Sequence, residues 1–85
     1  MKEILYTIKD PLGIHARPAG LFVRELLDFG SAVTVSRGGD SCDGKKLLAL
    51  MKLRVKTGET ISLQFNGADE DAAAKAAEIF LSEYL

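Results

Sequence analysis

The residues best suited to chemistry stand together in GIHARPAG, Gly13 to Gly20. This stretch holds the chain's sole histidine, His15, followed by Arg17 and Pro18. Neutral imidazole is a nucleophile near neutral pH, and guanidinium is a planar, permanently charged donor that matches phosphate oxygens. The pair suits a site that binds an anion, or one where the histidine takes up a phosphoryl group and becomes the anion. A self-contained active site would need more. There is no second histidine, no glycine-rich phosphate loop with a following lysine, and no paired-carboxylate or Ser/His pattern nearby. A carrier fits these residues better than an enzyme. A lone histidine near a helix start also fits an ordinary capping or surface residue, and placement alone leaves both readings open.

The flanking elements set that placement. Ile4, Tyr6 and Ile8 alternate over residues 2 to 8, and Ile61, Leu63 and Phe65 alternate over residues 60 to 66, so both read as half-buried strands. Val33 and Val35 alternate in SAVTVSR, and Gly38-Gly39 then predicts a hairpin into a short strand near Ser41 and Cys42. Ala19, Phe22, Val23, Leu26 and Leu27 recur at helical spacing, with Gly30 as the expected stop. Ala73, Ala76, Ala77, Phe80, Leu81 and Tyr84 predict a C-terminal helix whose start carries Asp69, Glu70 and Asp71, where negative charge is favoured. Leu47, Leu48, Leu50, Met51 and Leu53 suggest two further turns of helix.

The resulting order is β-α-β-β-α-β-α, with no repeat or linker. Alternating strands need cover on one side only, so the expected class is α+β, with helices on one face of a largely antiparallel sheet. Asp10-Pro11-Leu12-Gly13 reads as a turn after the first strand. His15 then falls just before or at the helix N-terminus, where open N–H groups and the helix dipole favour an anion. Pro18 is harmless in a first helical turn because those N–H groups have no partner inside the helix.

Composition narrows the classes further. Eighty-five residues, 47% hydrophobic and 27% charged, suit one domain over residues 1-85. The formal net charge of -1 gives no general attraction to nucleic acid or anionic lipid. No apolar run reaches a membrane-spanning length, and the N-terminus alternates instead of forming a signal-peptide core, so a cytoplasmic protein is expected without stable membrane insertion. Cys42 has no partner for a disulfide, and one Cys with one His does not make a zinc site, so neither a metal nor a redox role is expected.

GIHARPAG closely resembles the active-site signature of the histidine-containing phosphocarrier (HPr) family of the bacterial phosphoenolpyruvate-dependent sugar phosphotransferase system. The likeness extends over chain length, element order, the C-terminal helix and the GKKLLALM segment. It implies an open-faced β-sandwich, a four-stranded antiparallel sheet with three helices on one face. It also implies that His15 is phosphorylated, through Nδ1, that Arg17 is the phosphate partner, and that Ala16 and Pro18 belong to the same binding motif. Enzyme I would donate the phosphoryl group, sugar-specific IIA domains would accept it, and a monomer without cofactor would suffice. Leu21, Leu47, Leu48 and Met51 are candidates for the docking surface of such a relay, with core packing as the alternative for each.

Two positions depart from the family pattern. Lys46 stands where many HPr proteins of low-GC Gram-positive bacteria carry a regulatory serine, so regulation through that serine is not expected. Arg54 stands where a glycine commonly follows the short helix, which leaves the local backbone and helix end open. The basic run KKLLALMKLRVK, with Lys45, Lys46, Lys52, Arg54 and Lys56, reads as a solvated face or a rim for an acidic partner in preference to a nucleic-acid or membrane site. Three readings remain: a phosphoryl carrier, an HPr-like regulatory module whose His15 phosphorylation is only a signal, and an interaction domain without phosphotransfer.

Overall fold

Apolar alternation in the strands builds one face of an antiparallel sheet. The computed structural model describes all residues, 1–85, and contains β1 (Lys2–Thr7), α1 (Ala16–Leu26), β2 (Ala32–Arg37), β3 (Asp40–Asp43), α2 (Leu47–Lys52), β4 (Thr60–Asn66) and α3 (Glu70–Tyr84). The strands lie in the order β1-β4-β2-β3, every neighbour antiparallel. Ile4 pairs with Leu63, Leu63 with Val35, and Val35 with Cys42, which sets these four side chains in one row on the core face. Phe65, Ile61 and Val33 extend that face and are buried. The residues between them face outward. Glu3 accepts hydrogen bonds from the Ser62 hydroxyl at 2.8 Å and the Gln64 amide at 3.2 Å, while Thr7 and Thr60 pair at 2.8 Å.

Three helices cover the core face, the open-faced β-sandwich expected of the class. Helix α1 buries Pro18, Ala19, Phe22 and Leu26. Phe22 meets Phe80 of α3 with ring centroids 5.3 Å apart. The short α2 is held by Leu50, 1% exposed, whose burial is worth about 1.5–3 kcal/mol. That contact carries most of the helix's stability, since six residues are too few to stand alone in water. Cys42 lies in β3, half-buried on the core face, and burial pushes its thiol up from the ordinary value, with the Asp43 charge adding to the effect.

The packing corrects several expectations at element ends. Helix α1 stops at Leu26, and Leu27 is its C-cap, 61% exposed instead of buried in the stripe. Gly30 does not terminate this helix. Amides of Asp28 and Phe29 close on Glu25 and Leu26 in a tightened last turn, and Gly30 donates its N–H to Asp69. In α3 the buried stripe is Ala73, Ala74, Ala77, Phe80 and Leu81; Ala76 is half-buried, and Tyr84 is exposed, stacked on Phe80 at 4.5 Å. The Asp69 carboxylate does not cap its own helix. It accepts the amides of Gly30 and Ser31, both at 2.9 Å, and the hydroxyl of buried Ser31. Cross-chain donors win here because Ser31, once buried, requires a partner for its polar atoms.

Arg54 resolves the open question after α2. It adopts φ +53°, the one non-glycine residue at positive φ, immediately after the C-cap Leu53. A glycine would reach this left-handed conformation without strain from Cβ. The turn is held by Arg54 N–H donating to the Met51 oxygen at 3.2 Å, and by Arg37 donating to the Arg54 oxygen at 3.0 Å.

Candidate functional site

The loop from Asp10 to His15 carries the histidine to the start of α1. Leu12 N–H donates to Asp10 Oδ1 at 2.9 Å, and Gly13 N–H to the Asp10 oxygen at 2.9 Å, so one aspartate closes the turn twice. Gly13 turns at φ +69° and lies against the chain after α2; Ile14 N–H donates to the Val55 oxygen at 3.0 Å. From the other side, Lys9 and Asp10 donate their N–H groups to the main-chain oxygen of Leu85 at 2.6 and 3.0 Å. The loop is thereby fastened to both the α2–β4 connection and the end of α3.

His15 is the N-cap residue of α1, with extended backbone at φ -124°, ψ 172°. Its oxygen accepts the Ala19 N–H at 3.0 Å, while its side chain makes no capping bond. The imidazole therefore takes no part in capping the helix, and 34% of the side chain is exposed. Pro18 has no N–H to lose, and the amides of Ala16 and Arg17 fall within the first turn, where no intrahelical acceptor exists. The positive end of the helix dipole adds to them. Arg17 is exposed and makes no hydrogen bond or ion pair, leaving its five donors available.

Asp10, His15, Arg17, Pro18, Leu21 and Tyr84 line one cleft. Sequence reasoning placed four of these at the site. The sequence marks Asp10 only as a turn residue and Tyr84 only as a member of the C-terminal helix stripe. In the fold, Asp10 Oδ2 stands 3.1 Å from His15 Nε2, and its carboxyl is held below the usual carboxylate range, first by the Leu12 N–H and then by His15. Ala16 is exposed at the first position of α1. Leu47, Leu48 and Met51 are exposed on α2, Leu48 at 73%, and α2 packs beside α1. Lys45 departs from the expected solvated basic face: it is half-buried, and its ammonium donates to the Phe29 oxygen at 2.6 Å. Lys46, Lys52, Arg54 and Lys56 remain exposed. No three His, Cys, Asp or Glu side chains gather as metal ligands, and no helix is long and apolar enough to cross a membrane.

Fold and site together define an open-faced β-sandwich built around one histidine at a helix N-terminus. Comparison with known proteins narrows this class to one family. Residues 2–83 match the family model PTS-HPr, described as the PTS HPr component phosphorylation site. The chain belongs to the HPr family of phosphocarriers of the sugar phosphotransferase system. It is 40% identical over 83 residues to the phosphocarrier protein HPr of Lysinibacillus sphaericus, covering 98% of this chain and 94% of that one. Among solved structures, it superposes on a Mycoplasma histidine-containing phosphocarrier protein with a TM-score of 0.94 at 29% identity, covering 96% and 93% of the two chains. For HPr of Thermoanaerobacter tengcongensis the TM-score is 0.93 at 35% identity, with 98% and 93% covered; a dimer of that organism's HPr gives 0.78 at 35% identity, with 98% and 95% covered.

Proposed function

We propose that this single-domain protein carries phosphoryl groups on His15. Enzyme I, charged from phosphoenolpyruvate, is the donor, and sugar-specific IIA domains are the acceptors. The observation that carries this reading is the His15 side chain: it sits at the N-cap of α1, makes no capping bond, and shares its cleft with an unpaired Arg17. In the transfer, a lone pair of the imidazole forms a bond to phosphorus while the bond from phosphorus to the donor atom breaks, and that atom keeps the electron pair. Open helix amides and Arg17 then face the phosphate oxygens. Their exposure matters, because a carrier must steady the group without holding it so tightly that onward transfer stalls.

The chain itself supplies no second reactive group, so it acts as a covalent intermediate and not as a catalyst. Leu21 beside His15, with exposed Leu47, Leu48 and Met51 on the adjacent helix, forms the apolar part of the docking surface. Lys46, Lys52, Arg54 and Lys56 provide a basic rim for acidic partners. We assign the protein to the cytoplasm as a monomer that needs no metal, cofactor or nucleic acid of its own.

The test is incubation with phosphoenolpyruvate and enzyme I, followed by intact-protein mass measurement. One acid-labile phosphoryl addition is expected, absent from His15→Ala. No addition to the wild-type chain would overturn the reading. A IIA acceptor added afterwards should discharge the protein; retention of the group would identify a signalling module instead of a carrier.

A further inference from the structure

Asp10 and His15 are separated by the whole Asp10–Gly13 turn, yet their side chains meet at 3.1 Å. An ionised carboxylate can only accept, so the hydrogen in this contact belongs to Nε2 of His15. Neutral imidazole carries one ring proton. With that proton on Nε2, the lone pair available for attack is on Nδ1. We propose that Asp10 is a positioning residue for the transfer assigned above, on which this inference rests: its carboxylate selects the Nε2–H form of His15 and thereby makes Nδ1 the nucleophile.

The turn keeps the carboxylate where it is needed. Oδ1 is engaged by the Leu12 N–H at 2.9 Å, which leaves Oδ2 aimed at the imidazole. Lys9 and Asp10 are further held through their own amides by the Leu85 oxygen. An aspartate is ionised at neutral pH, and the hydrogen bonds that hold the Asp10 carboxyl below its ordinary range reinforce this, so it remains an acceptor. Asp10 also has a role after transfer. When Nδ1 bonds to phosphorus and Nε2 keeps its proton, the ring becomes cationic, and Oδ2 is the adjacent anion that offsets the charge. A ring held protonated is the better leaving group, because on discharge Nδ1 recovers the bonding pair as neutral imidazole.

The sole histidine makes the test direct: in protein labelled with 15N only in histidine, every imidazole signal comes from His15. The unphosphorylated wild-type protein should show predominantly the Nε2–H form. Asp10→Asn retains an oxygen for the Leu12 amide but can turn an N–H₂ toward Nε2, so the ring proton should move to Nδ1. Phosphoryl acceptance from enzyme I should then fall about tenfold, the lower end of what loss of an orienting partner behind a functional histidine costs. Asp10→Ala should give a mixture of tautomers and an intermediate rate. An unchanged tautomer ratio in both variants, or a full shift with unchanged transfer, would overturn the role of Asp10. Absence of phosphorylation in the wild type would overturn the carrier reading instead, and the tautomer measurement, made without any donor, tests Asp10 independently.

Discussion

Gly13 and Val55 are in such close contact that no side chain fits between them: a Cβ on Gly13 would stand 2.3 Å from the Val55 main-chain oxygen. Gly13 also lies at φ +69°, where residues other than glycine are strained by about 1–2 kcal/mol. The Ile14 amide bonds to that same oxygen, so relief of the clash would disturb the bond that seats His15. Gly13→Ala should destabilise the protein by about 2–3 kcal/mol, read from the urea midpoint, and should slow phosphoryl acceptance in the fraction that stays folded. An unchanged midpoint would remove this contact from the account of the site.

Arg54 presents the opposite case, a side chain where the backbone favours none. Replacement by glycine relieves about 1–2 kcal/mol of left-handed strain and adds back about 0.4–1 kcal/mol of unfolded-state entropy. The bond from Arg37 ends on the residue-54 main-chain oxygen and survives the change. Arg54→Gly should therefore stabilise the protein by up to about 1.5 kcal/mol, seen as a rise of several degrees in Tm. A lower Tm would mean that the arginine side chain contributes more than its backbone costs.

Arg17 has no partner within the chain, so its removal leaves nothing orphaned. Arg17→Ala should change stability by less than about 0.5 kcal/mol. Its transfer rate should fall about fivefold, the equivalent of roughly 1 kcal/mol for one exposed charged contact to phosphate. Stopped-flow transfer and thermal melts on the same sample check both halves, and unfolding of the variant would refute the assignment.

Asp69 sets an acid limit on the fold. Its carboxyl is held below the usual carboxylate range, first by the Ser31 hydroxyl and then by the Gly30 amide. A depressed folded-state pKa adds stability that is complete above the unfolded value, about 3.9, and is lost as pH falls through the folded one. Asp69→Asn should be less stable than wild type at pH 7, with the gap closing below about pH 4. Denaturant titrations across that range test the sign; a constant gap would mean that the carboxylate charge is not what Ser31 and Gly30 recognise.

Strand and helix order was legible because each element buries a regular stripe: Ile61, Leu63 and Phe65 at period two, Phe22 and Leu26 at helical spacing. His15 at the start of α1 was legible for a related reason, since the turn residues before it and Pro18 after it constrain the boundary locally. Leu27 and Tyr84 were misread because periodicity continues past the point where a helix leaves the core. The pairing of Asp10 with His15 left no pattern at all. It depends on how one turn closes, and an Asp-Pro pair signals a turn without revealing where the second carboxylate oxygen will point. Lys45 reaching the Phe29 oxygen and Asp69 reaching Ser31 are likewise products of tertiary packing between distant segments.

The position of β4 between β1 and β2 has a consequence for the newborn chain. On the ribosome, β1 emerges well before its only strand partner, which ends at Asn66. The β2–β3 hairpin can form early from neighbouring residues, but the sheet has no centre until translation has passed residue 66. Long-range pairing of this kind folds slowly, because the intervening loop must close before any contact rewards it. The histidine loop is made well before β4, Val55 and Leu85, the segments that hold it, so its seat is complete only after Leu85 has joined the chain.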